Sequence, residues 1–80
     1  MCTKIAKWIV EDACRNSNTG SWVEYYEEIV ERFGVTIEWL NKNAYRICDR
    51  FDPEIVADYT YGDGCIDLIL YTEYLECEEA

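Results

Sequence analysis

Ile55-Val56-Ala57-Asp58-Tyr59-Thr60-Tyr61-Gly62-Asp63-Gly64-Cys65-Ile66-Asp67-Leu68-Ile69-Leu70-Tyr71-Thr72 is the stretch on which the fold turns. Two runs rich in β-branched and aromatic residues flank a Gly-Asp-Gly turn, which reads as a β-hairpin. A competing reading makes Asp63 a helix cap and runs a helix from Gly64 to Cys77, apolar on nearly all sides through Leu75. The first reading makes the chain α+β. The second makes it an all-α four-helix bundle. The hairpin reading is followed here, with the tail from Glu76 to Ala80 expected to fray.

Upstream, three helices are expected. From Thr3 to about Arg15, apolar residues recur at helical spacing, and Asn16-Ser17-Asn18-Thr19-Gly20 stops them. Ser21-Trp22-Val23-Glu24 reads as a capping box that starts a second helix, with Trp22, Tyr25 or Tyr26, Ile29, Val30 and Phe33 on its buried face. Gly34 ends that helix in the left-handed conformation. A third helix, from Ile37 to about Arg50, carries Ile37, Leu40, Ala44, Ile47 and Phe51 as a core stripe, and Asp52-Pro53 closes it.

Composition narrows the function. The chain has 80 residues, 17 Asp+Glu against 7 Lys+Arg, no His and a formal charge of −10, yet it is 50% hydrophobic. That apolar content is enough for a core, so one globular domain over residues 1–80 is expected rather than disorder. Without His, the commonest general base and metal ligand are both missing. The five Cys, at positions 2, 14, 48, 65 and 77, contain no CxxC pair, so neither a zinc site nor any other metal or cofactor is expected. They are read as small hydrophobes in a reducing cytosol. Met1 to Val10 holds only the short apolar stretch Trp8-Ile9-Val10 before Glu11-Asp12, which reads as neither a signal peptide nor a membrane span. Catalysis is not expected, because 80 residues offer little burial to shift a carboxylate.

Charge is unevenly distributed. Residues 52–80 hold nine acids and no Lys or Arg. On the expected second helix Glu24, Glu27, Glu28 and Glu31 stand at i, i+3, i+4 and i+7, about one charge per 3 Å. Duplex DNA carries about one per 1.7 Å of axis, so this row can imitate a phosphate track. Asp58, Asp63, Asp67 and Glu73 are interleaved with Tyr59, Tyr61, Tyr71 and Tyr74. Carboxylates grip guanidinium forks and rings stack on them, which suits an Arg-rich protein partner. The alternative is a solubilising surface only. The third helix has the opposite sign: Lys42, Arg46 and Arg50 lie four apart and form a basic ridge, with Asn41 able to reach a base edge.

The stretch Tyr25 to Leu40 resembles a helix-turn-helix, and the hairpin after helix three makes residues 3–74 similar to a winged-helix domain. Gly34 sits at that family's turn glycine, Thr36 at its second cap and Leu40 at its locking apolar position; Val30 and Asn43 depart from the pattern. The resemblance implies a recognition helix from Ile37 that enters the DNA major groove through Asn41, Lys42, Arg46 and Arg50. The hairpin, carrying Asp58, Asp63 and Asp67 and no basic residue, would repel DNA as a wing. In size and charge the chain also resembles phage anti-restriction and anti-CRISPR inhibitors. That likeness implies a small acidic monomer or homodimer that blocks the basic nucleic-acid groove of a host defence enzyme, without touching nucleic acid or membrane itself.

Overall fold

The helical spacings at the N-terminus produce α1, Cys2–Asn16, which buries Ile5, Ala6, Ile9, Val10, Ala13 and Cys14. The computed structural model describes residues 1–76. Ser17 ends the helix in extended conformation, and its buried hydroxyl accepts from the Gly20 amide (2.9 Å) and donates to the Ser21 carbonyl (2.8 Å). Gly20 has φ +96°, and a Cβ there would lie 2.8 Å from the Leu70 carbonyl oxygen, so only glycine fits this corner.

The next segment departs from expectation. Ser21 does not cap a helix; Ser21–Tyr25 is a strand, β1, and α2 begins only at Tyr26 and ends at Phe33. Sequence-local capping lost to tertiary pairing. Each of the five residues has a partner on a later strand, and Trp22, Val23 and Tyr25 suit a pleated surface. Tyr25 is therefore exposed, Trp22 half-buried, and Tyr26 and Ile29 carry the buried side of α2.

Gly34 closes α2 at φ +72°, with its amide donating to the Val30 carbonyl (2.9 Å). Thr36 then caps α3, Ile37–Asp49, by accepting from the Trp39 amide (3.0 Å). Leu40, Ala44 and Ile47 are buried as the stripe requires, joined by Cys48 and, past the helix end, Phe51. Ile37 is an exception, exposed in the first turn.

The hairpin forms. Strands β2, Val56–Gly62, and β3, Cys65–Leu70, are joined through Asp63 and Gly64, both at positive φ (52° and 82°), the signature of a type I′ turn. The four-helix alternative is thereby overturned: residues from Cys65 to Leu70 are strand, followed by a single 3₁₀ turn at Thr72–Tyr74. A long β-rich run beside a two-residue turn gains two ladders of backbone hydrogen bonds, one on each side of β3. The sheet is antiparallel in the order β1-β3-β2. The Glu76 amide donates to the Cys14 carbonyl (2.8 Å), so that end of the expected frayed tail is tied down; residues 77–80 lie outside the described part.

The helices cover one face of the sheet. Ile66, Leu68 and Leu70 of β3 join Ile5, Ile9, Ile29, Leu40 and Ile47 in one core. No helix among the described residues is long and apolar enough to cross a membrane.

Candidate functional site

The acidic row expected on helix two survives in part. Glu27, Glu28 and Glu31 share the solvent side of α2. Glu24 does not join them: it belongs to β1 and points inward, 3% exposed, where the Trp22 indole Nε1 donates to its Oε1 (3.1 Å). The helical spacing that aligned it with the others does not apply to a strand, whose side chains alternate. Burial pushes its carboxyl up to about 7, against the indole hydrogen bond, and the charges of Asp12 and Glu28 add to the rise.

The hairpin acids are split from the hairpin tyrosines by the same alternation. Asp58 and Thr60 pair with Ile69 and Asp67 on the outer face, whereas Tyr59 and Tyr61 pair with Leu68 and Ile66 on the face toward the helices. Tyr59 sets its ring edge-on against Phe51 (5.7 Å), and both tyrosines remain partly exposed at the sheet edge. An interleaved acid-and-tyrosine surface is thus not formed there. Asp63, in the turn, is brought beside the acidic helix because the Tyr26 amide donates to the Gly64 carbonyl (2.9 Å). Glu73 lies at the opposite end of β3 from Asp63, in the 3₁₀ turn.

The outer face of the sheet holds residues that the sequence reading missed. Along β1 the outward set is Ser21, Val23 and Tyr25, opposite Ile69, Asp67 and Cys65 of β3. Val23 is 37% exposed, Ile69 52% and Tyr25 60%. Asp67 lies among them on the central strand, between Val23 and Thr60, and Asp58 borders Ile69 on β2; Thr60 Oγ1 donates to Asp67 Oδ2 (3.4 Å), and none of the three strands carries a Lys or Arg. Exposed apolar and aromatic side chains set around a central carboxylate, on strands without a cation, suit a basic protein partner. The signal that could have found it is the β-forming content of Trp22-Val23-Glu24-Tyr25, overridden in the reading by the apparent capping box.

Positive charge collects elsewhere. Asn41, Lys42 and Arg46 are exposed on α3, and Arg50 is exposed at its C-terminal cap. Arg46 Nε donates to the Tyr45 hydroxyl (2.9 Å), while Arg50 Nε donates to Thr3 Oγ1 (2.9 Å) and its Nη1 to the Arg46 carbonyl (3.1 Å). Two of the three ridge cations are therefore held against their own chain. Lys7 and Arg50 edge a groove of about 370 Å³ that Glu11 and Asp52 also line, and Lys4, Lys7 and Arg32 edge another of about 480 Å³ with Glu11, beside Trp8 and Phe33. The Arg32 guanidinium sits 5.1 Å from the Trp8 ring centre. The one ion pair among the described residues is Arg15 with Asp12 (3.9 Å).

The thiols are set by burial. Cys14 and Cys48 lie in the core, and burial pushes the Cys48 thiol up to about 12, out of the reactive range. Among the described residues no three His, Cys, Asp or Glu side chains are grouped to hold a metal ion. Comparison with family models, with curated proteins and with solved structures finds no match to this chain.

Proposed function

We propose that the protein acts by binding rather than by catalysis, as a small acidic inhibitor that docks on a basic protein through the outer face of its sheet. One observation carries this: Val23, Tyr25 and Ile69 are exposed around the central Asp67, with Asp58 beside Ile69, on strands without a single cation. The partner class is a nucleic-acid-binding enzyme, whose groove presents Arg and Lys to phosphates. Asp58, Asp67 and Asp63, with Glu27, Glu28 and Glu31 beyond the turn, stand in for those phosphates in the manner of a DNA mimic. Four thiols without disulfides among the described residues suit a reducing cytoplasm.

The test is binding to a basic nuclease across a salt series. Affinity should be highest at low ionic strength and fall steeply as salt screens the carboxylates. Absent affinity at low salt, or affinity indifferent to salt, would remove the mimic from consideration.

A second reading has its own support. Helices α2 and α3, joined at Gly34 and followed by the β2–β3 hairpin, fit the winged-helix resemblance, and α3 presents Asn41, Lys42 and Arg46 to solvent. On that reading the protein is a regulator that binds DNA through α3, and its wing carries Asp58, Asp63 and Asp67 against the phosphates. Retardation of duplex DNA at ordinary salt, abolished by Arg46→Glu, would select it over the inhibitor.

A further inference from the structure

Strand β1 has two faces with different demands. Val23 and Tyr25 point outward, and Glu24 between them points inward against the helices, with the fully buried Ile66 as its cross-strand partner. Its single side-chain donor is the Trp22 indole at 3.1 Å. From α1, the charge of Asp12 bears on it; Asp12 is itself held by Asn16 Nδ2 (3.0 Å) and paired with Arg15 at 3.9 Å. From α2, the charge of Glu28 bears on it. β3 lays only Ile66 there and adds no charge. Among the described residues no cation pairs with Glu24; the ion pair there is Arg15 with Asp12.

A carboxyl buried with one neutral donor and no cation cannot ionise without a desolvation cost that its surroundings leave uncompensated. We propose that Glu24 is a proton-operated latch: protonated, it stays packed against the helices and holds β1 in place, and loss of its proton loosens β1 together with the Val23 and Tyr25 side chains on the opposite face. The latch itself stands on the burial of Glu24 with only the Trp22 indole to meet it. Its consequence for docking rests on the outer face being the binding face.

The direction follows from the proton count. A carboxyl on a loosened strand, open to water, ionises near the ordinary 4.5, whereas in the closed strand Glu24 holds its proton to about 7. Between those values the closed form carries more protons than the open form. Rising pH therefore favours opening, by up to about tenfold per pH unit, and the effect levels off once Glu24 is ionised in both forms.

The test follows amide exchange at Val23, Glu24 and Tyr25 by NMR from about pH 4.5 to about pH 8, corrected for intrinsic exchange, with the Glu24 carboxyl carbon titrated in parallel. The expected result is protection that falls about tenfold per unit below neutrality, a carboxyl midpoint near neutral, and no pH dependence in Glu24→Gln. Protection that is flat in the native protein, a midpoint at the ordinary carboxylate value, or a slope unchanged in Glu24→Gln would each overturn the latch. Should Glu24→Gln not fold, Asp12→Asn decides: removing the neighbouring charge must move the Glu24 midpoint down, and an unmoved midpoint overturns the proposal. Nona-arginine, whose own charge is constant over this range, reports on the face. Binding that weakens with pH in the native protein and not in Glu24→Gln supports coupling. If β1 titrates and the peptide never binds, the docking face is wrong and the latch stands.

Discussion

The inner and outer faces of the sheet are built from similar residues and do opposite things. In β3, Leu68 is 1% exposed and its neighbour Ile69 is 52% exposed. In the segment that turns from β1 into α2, Tyr25 is exposed and Tyr26 buried. Apolar character is thus no statement about burial. What separates the faces is a helical layer on one side and solvent on the other, and an apolar group left facing solvent between carboxylates is available to a partner.

Substitutions on the two faces should separate the same way. The largest expected effect is Leu68→Ala, which removes core volume and should cost about 3 kcal/mol in urea denaturation, while Ile69→Ala next to it should cost less than about 0.5 kcal/mol. Equal costs would erase the distinction between the faces. Gly20→Ala should follow at about 2 kcal/mol, because both its φ of +96° and the 2.8 Å approach to the Leu70 carbonyl oppose a side chain at the corner that leads into β1. Tyr25→Ala should leave the melting curve in place but weaken binding to a basic partner by more than about 1 kcal/mol, several-fold or more in Kd by calorimetry. Loss of stability without loss of binding would reassign Tyr25 to the structural side. The smallest effect is Thr36→Ala, a lost helix cap worth about 1 kcal/mol or less, with partner binding unchanged.

Several elements are legible in the residues. The spacings of α1 and α3, the left-handed Gly34, the Thr36 cap and the turn at Asp63-Gly64 all appear where local pattern places them. Each depends on interactions within a few residues. The start of α2 does not. Ser21 and Glu24 have the spacing of a capping box, but their backbones are committed to Ile69 and Ile66, more than forty residues away. Nothing local reveals that commitment. It also moves Glu24 from an acidic ridge into the interior and turns Val23 and Tyr25 outward.

The amino-acid order by itself therefore determined the acidic balance and the helices whose periodicity is unbroken, and it favoured the hairpin while leaving a fourth helix as the alternative that the structure removes. The tertiary structure alone decided β1, the choice of which strand residues face the helices, and the burial of Glu24 away from the acidic face of α2. The physical reason is range. Helical periodicity, caps and tight turns are closed by neighbours in sequence, whereas strand pairing and face selection depend on hydrogen bonds and burial supplied by distant segments, with a side-chain period of two that reverses every assignment when helix becomes strand.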